Sequence, residues 1–329
     1  PLEIADWAFS RNFEGDVNLG ELDGTETFGD YSAQLSVDFE GVDITRGNLY
    51  FREWGRIKSR VEKALKQGNH ILLFGPPGTG KTKLARQICE EGVNRGADEY
   101  ELVTGSADWS TFDTIGGDQT KKNSGLSFEP GRNRERFQKD STGTPANEWL
   151  IIDELNRADI DKAFGALFSA LTGESVTLPF EHDNGNAIEI CDGSRTDAEV
   201  DAHRFYIPDD WRMISTMNTL DKTSLYEMSY AFMRRWAFIP VGVPDLPNPN
   251  SETGRQELTT LIEQYIAVWD SRPVTTDREH LATLGEIWYT VNQHRAIGPA
   301  IVEDIYGYIA DDGTADDPDF ISPIVMYVF

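Results

Sequence analysis

The chain has 329 residues and a formal net charge of -26, set by 56 acidic against 30 basic residues. That length allows two domains or one large domain with an appendage, and no run approaches the roughly 18 uninterrupted apolar residues of a membrane-spanning helix. So acidic a surface repels nucleic acid and anionic membranes over most of its area, and the two cysteines, Cys89 and Cys191, lack the CxxC or Cys/His spacing of a zinc site and give no disulfide framework.

Reduced cysteines and the absence of a visible secretory signal point to a cytoplasmic protein. The chain opens on a proline and stops in the apolar run ISPIVMYVF, as an excised segment of a longer protein would. Its basic residues comprise 20 Arg against 10 Lys. An acidic coat with little lysine resembles proteins of organisms with a salt-filled cytoplasm, where screening relieves self-repulsion. A halophilic, archaeal source is the expectation.

Residues 1–45 hold eleven acidic residues against one arginine and read as an acidic linker or the tail of a missing domain. From 51 to 67, Trp54, Ile57, Val61, Ala64 and Leu65 make one helical face, which Gly68 ends. A strand over 71–74, a Gly-rich turn, a helix carrying Leu84, Ala85, Ile88 and Cys89, and a strand around YELVTG follow. WLIID at 149–153, RMISTM at 212–217 and FIPV at 238–241 read as further strands between helices. Strands alternating with helices predict an α/β fold with a parallel sheet covered on both faces. After Val243 the run VPDLPNPNS is a hinge. Leu258, Leu261, Ile262, Tyr265, Ile266 and Trp269 then mark one helix, and Leu281, Leu284, Ile287, Trp288 and Val291 a second, opened by Thr276 and Glu279 at capping-box spacing. A shorter helix starts near Pro299.

The chemistry concentrates in a few stretches. GPPGTGKT, comprising Gly75, Pro76, Pro77, Gly78, Thr79, Gly80, Lys81 and Thr82, satisfies GxxxxGK[ST] between a strand and a helix. Its glycines let backbone amides face phosphate oxygens at a helix N-terminus. Lys81 is placed to reach the terminal phosphates and Thr82 to ligate Mg²⁺. WLIID pushes Asp153 and Glu154 off the C-terminal edge of the sheet, where open parallel sheets bind ligands. Asp153 is the candidate second Mg²⁺ ligand and Glu154 the group that polarises an attacking water. The strand ending in TMNT sets Asn218 beside the same edge, able to hydrogen-bond both a phosphate oxygen and that water. The NTLD run at 218–221 also matches a guanine-binding NxxD, without any other guanine signature. In AFMRRWAF, the stripe Leu225, Met228, Phe232 and Trp236 leaves Arg234 opposite and Arg235 on its edge, so Arg234 points away from its own domain.

With these stretches assembled, GPPGTGKT, IIDELNRADIDKAFGALFSAL, ISTMNTLDKTS and YAFMRRWAF, the chain resembles the AAA+ ring ATPases over about residues 50–310. Within them it resembles the branch that holds McrB and the MoxR and dynein-related modules. The resemblance implies a P-loop sheet domain over 46–243, with hairpin insertions near 121–139 and 180–207, and a helical lid over 244–329, its end truncated. It further implies a homo-oligomeric ring, a hexamer, in which Arg234, steadied by Arg235, enters the neighbouring subunit's nucleotide site. Arg295 is the candidate reporter of nucleotide state to the lid. McrB uses GTP, and Leu220, Lys222 and Met233 depart from the McrB pattern; ATP, the rule across AAA+ proteins, is the expectation. The implied function is an McrB-like motor driving a partner nuclease in DNA restriction. The alternatives are a MoxR-type chaperone with a von Willebrand-type partner, and a scaffold that binds nucleotide without turnover. Nucleic acid would be met through the pore or a missing domain. Residues 121–139 hold Lys121, Lys122, Arg132, Arg134, Arg136 and Lys139 against Glu129 and Glu135, a basic patch for an anionic polymer or for a neighbouring subunit.

Overall fold

A computed structural model of the chain describes residues 26–114, 116–120, 126–130, 134–139, 143–171, 174–182, 185–193, 195–219, 233–269, 278–311 and 320–328. Five strands form its central sheet: β1 (His70–Gly75), β2 (Glu99–Thr104), β5 (Glu148–Asp153), β9 (Met213–Asn218) and β10 (Trp236–Pro240). Their spatial order is β10-β1-β9-β5-β2, and every pairing is parallel. Ile71, Leu72 and Leu73 of β1 and Leu150, Ile151 and Ile152 of β5 are fully buried, as near-continuous apolar runs covered on both faces must be. The chain leaves β1 toward one edge and returns to the other at β10, so β1 lies at the switch point of the strand order. Ligands bind beyond the C-terminal strand ends at such a point.

Helices supply the cover. In α2 (Trp54–Lys66) the buried residues are Ile57, Val61, Ala64 and Leu65, the face read from the sequence. In α3 (Lys81–Asn94) they include Leu84, Ala85, Ile88 and Cys89. Further along lie the short α4 (Thr111–Thr114) and then α5 (Ile160–Ala170), which the Asp159 side chain caps by accepting from Lys162 N. Two small sheets interrupt this plan. Antiparallel β3 (Gly116–Thr120) and β4 (Leu126–Pro130) form a hairpin. The second joins β6 (Val176–Glu181), β7 (Ala187–Asp192) and β8 (Arg204–Ile207), with β7 and β8 parallel. Both fall near the expected insertions, the first beginning a few residues earlier.

The linker reading fails for residues 26–45. A short α1 (Phe28–Ser32) buries Phe28, and Leu35, Val37, Val42 and Ile44 are also buried. The backbone is tied down by one arginine: Arg95 Nη1 donates to Asp38 O and Glu40 O and its Nη2 to Gly41 O, each at 3.0 Å. Acidic side chains face solvent here while alternate apolar ones enter the core, and net charge does not register that alternation. Residues 1–25 lie outside the described residues.

Beyond the proline-rich hinge, α6 (Glu252–Ile266), α7 (Arg278–Asn292), α8 (Pro299–Asp311) and α9 (Ile321–Val328) build a second apolar cluster around Leu258, Ile262, Trp288 and Ile305. The Ser251 side chain caps α6 by accepting from Gly254 N. Thr276, the expected cap of α7, lies outside the described residues. So do Leu225, Met228 and Phe232 of the predicted stripe, and its last member, Trp236, is not helical: it opens β10 and is buried. No helix among the described residues is long and apolar enough to cross a membrane.

Candidate functional site

The loop from Gly75 to Thr82 turns from β1 into α3 beyond the C-terminal edge of the sheet. Gly78 (φ 74) and Gly80 (φ 86) hold left-handed backbone, which a residue with a Cβ resists. Lys81, first in α3, is buried, and its Nζ donates to Gly75 O at 3.1 Å and Pro76 O at 2.7 Å. Burial pushes its ammonium from the ordinary 10.5 to about 8, against the opposing pull of the Asp153 and Glu154 carboxylates.

The ends of β5 and β9 converge on that loop. Thr82 Oγ1 donates to Asp153 Oδ1 at 2.8 Å, and Thr216 Oγ1 donates to the same oxygen. The Thr216 hydroxyl also accepts from Glu154 N at 3.0 Å, and Asn218 Nδ2 approaches Glu154 Oε1 at 3.4 Å. The structure therefore brings Lys81, Thr82, Asp153, Glu154 and Asn218 together. Thr216 escaped the sequence reading, although a signal was there: it lies two residues before Asn218 on the same strand face, polar inside an apolar run.

These groups line a cleft of about 370 Å³. It is also lined by residues 48–51, by Tyr265 in the last turn of α6 and Trp269 just beyond it, and by Pro299, Ala300 and Glu303 of α8. Tyr50 meets Tyr265 edge-on at 4.9 Å and hydrogen-bonds Gln264 at 2.6 Å. An aromatic, largely apolar chamber beside an amide-rich phosphate cradle has the make-up of a nucleotide pocket. By their spacing alone, Tyr265 and Trp269 read only as helix-packing residues.

The remaining predicted site residues lie elsewhere. Arg295 is exposed in the turn before α8 and does not line the cleft; its Nη1 donates to Val328 O at 2.8 Å. From the lid, the phosphate loop is instead met by backbone: Gly298 N donates to Pro77 O at 2.8 Å and Ala300 N to Gly78 O at 2.9 Å. Arg234 is exposed and Arg235 half-buried just ahead of β10, whose Trp236 pairs with His70 at the N-terminal end of β1. β1 has six residues, so at ~3.3 Å each about 17 Å of strand separates these arginines from their own phosphate loop, more than an arginine side chain spans. Burial lowers the Arg235 guanidinium below its ordinary range, with Arg234 adding to the effect. Beneath them, burial together with the Arg212 and Arg235 cations pushes His70 down to about 3, leaving it neutral.

The basic patch divides. Lys121, Lys122 and Arg132 lie outside the described residues. Arg136 pairs with Glu148 and, at 3.1 Å, with Glu101, and Lys139 pairs with Asp98 at 2.7 Å. Within the chain, these two cations pair with carboxylates of the β2 and β5 region.

A parallel sheet flanked by helices, with a phosphate loop at its switch point and carboxylates at the adjoining strand ends, defines the AAA form of the P-loop NTPase fold. The family model described as AAA domain (dynein-related subfamily) matches residues 70–236. The chain belongs to that family of AAA+ ATPases. No curated protein matches the sequence. Among solved structures, NtrX from Brucella abortus in complex with ATP is similar at 16% identity and a TM-score of 0.45, over 84% of this chain and 55% of that one. The same protein in complex with ADP matches at 15% identity and a TM-score of 0.45, over 85% and 54%. The chain thus spans little more than half the length of these structures.

Proposed function

We propose that the chain hydrolyses Mg-ATP at the subunit interfaces of a cytoplasmic, hexameric ring. We further propose an McrB-like motor that drives a partner nuclease in DNA restriction, on the strength of the four stretches shared with that branch. The acidic, arginine-rich composition favours a halophilic setting for it. In this reading residues 46–243 are the nucleotide-binding domain and 244–329 the lid.

The observation that carries the reading is the meeting of Thr82, Asp153, Glu154 and Asn218 at one edge of the sheet while Arg234 stands at the opposite edge. Thr82 and Asp153 present hard oxygens 2.8 Å apart, the donor type Mg²⁺ takes, so the residues fit that ion. Bound there, Mg²⁺ would neutralise phosphate charge. Lys81 and the loop amides bind the phosphates, Glu154 accepts a proton from the attacking water, and Asn218 orients it. Arg234, too far from its own loop, serves the adjacent subunit by stabilising charge on the transferred phosphoryl group.

Glu154→Gln should retain ATP binding and lose about 10²-fold or more in turnover. Mixed with Arg234→Ala, it should regain activity, because one kind of mixed interface has both groups intact. Mixtures as inactive as either variant, in rings shown to exchange subunits, would remove Arg234 from the neighbour's site.

A further inference from the structure

Glu154 is the one non-glycine with positive φ among the described residues, at φ 53 and ψ 48. A side chain with a Cβ disfavours left-handed backbone, so such a residue persists only where its surroundings hold it. Here the main chain does so from both sides. Glu154 N donates to Thr216 Oγ1 at 3.0 Å, and Glu154 O accepts from Arg157 N at 2.9 Å. The turn continues as a single 3₁₀ turn, Leu155–Arg157, which stacks a residue over the one three positions before it. Arg157 is thereby set above Glu154, and its Nε pairs with Glu154 Oε2.

Asn218 approaches the other carboxylate oxygen, Oε1, from β9. Two donors on different elements thus fix the plane of one carboxylate. Glu154 and Asn218 line the cleft and Arg157 does not, so the guanidinium grips the carboxylate from outside. Each carboxylate oxygen can accept twice, which leaves acceptor sites for water on the cleft side. The Arg157 side chain is 60% exposed, and an ion pair so wetted adds little to stability. What it supplies is direction.

We propose that Arg157 is a positioning residue that aims the Glu154 carboxylate at the attacking water, a role resting on the assignment of Glu154 as the water-polarising group. It follows that Arg157 acts on turnover through Glu154 alone and takes no part in holding nucleotide.

The test is a double-mutant cycle of Arg157→Ala and Glu154→Gln, with Arg157→Lys alongside, read by single-turnover ATP hydrolysis and by binding of a fluorescent ATP analogue. Arg157→Ala deletes only the side chain; the main-chain bonds that shape the turn remain. It should lower the hydrolysis rate about 10- to 100-fold while leaving analogue binding unchanged. Arg157→Lys, which keeps a cationic donor, should recover part of the loss. In the Glu154→Gln background, Arg157→Ala should cost nothing further, a non-additivity that a merely structural role would not produce. Unchanged or faster hydrolysis by Arg157→Ala, or an equal loss in both backgrounds, overturns the proposal while leaving Glu154 in place. Wild-type turnover by Glu154→Gln alone instead overturns the Glu154 assignment, and the positioning role with it.

Discussion

Gly298 offers the sharpest structural perturbation of the contact between lid and phosphate loop. A Cβ at that position would lie 2.2 Å from Gly78 C, 2.3 Å from Gly78 O and 2.4 Å from Thr79 N. All three are backbone atoms of the loop, and none can swing aside as a side chain could. The loop itself is held by the left-handed conformations of Gly78 and Gly80, so in Gly298→Ala the yielding partner is the start of α8. Its retreat breaks the bonds from Gly298 N and Ala300 N to Pro77 O and Gly78 O. At ~0.5–1.5 kcal/mol net for each, about 1–3 kcal/mol of docking is lost. That is roughly a 5- to 150-fold shift of the docked lid toward the undocked. Because Pro299, Ala300 and Glu303 wall the cleft, apparent ATP affinity should fall by up to the same factor. Amide exchange at Ala300 should accelerate in step, while the melting of the sheet core stays as in the wild type. Unaltered exchange at Ala300 together with unaltered ATP affinity would refute the idea that this backbone contact docks the lid.

Two other outcomes follow from the site. Lys81 sits at about 8 as folded and a phosphate favours its charged form, so ATP binding should be insensitive to pH below about 8. Above that, binding takes up one proton and should weaken about tenfold per pH unit, with a buffer-dependent calorimetric heat; heats that match across buffers at pH 9 would contradict this. Thr216→Val deletes the hydroxyl that donates to Asp153 and accepts from Glu154 N. It should cost about 1–3 kcal/mol of stability in urea. It should also lower turnover and raise the Mg²⁺ concentration needed for half-maximal rate, whereas Thr216→Ser should behave as the wild type.

Periodicity made the sheet and the helices that cover it legible. Runs such as ILLF and WLIID, too short for helices and β-branched or aromatic in part, read as strands covered on both faces, and the spacing from Ile57 to Leu65 admits one helical face. The glycine loop and the paired carboxylates were visible because their chemistry is local in sequence. Thr216 and Arg157 were not assigned because their roles come from register. Thr216 reaches Asp153 only because β9 lies beside β5, and Arg157 reaches Glu154 only because the chain after β5 turns left-handed. Arg295 shows how register decides placement too: a lone arginine near a helix start carries no record of where the preceding turn sends it, here to Val328 O. The acidic segment 26–45 misled through composition, since Phe28, Leu35, Val37, Val42 and Ile44 are too sparse to shift an average yet sufficient to anchor it.

The cleft belongs to neither apolar cluster alone, and that division has an energetic consequence. Phe51 packs into the sheet core while Tyr50, its neighbour, packs against the helical one, and both line the cleft. Adjacent residues committed to opposite cores cannot follow one without straining the other. On the far wall, α8 is bonded by its first residues to the loop that faces the phosphates. A ligand that touches the loop, residues 48–51 and the lid at once therefore favours one relative placement of the two clusters. Linkage makes that preference reciprocal: any force that moves the helices away from the docked placement weakens the ligand by the same factor by which the ligand resists the movement. The physical coupling between the site and the rest of the molecule lies in this shared wall.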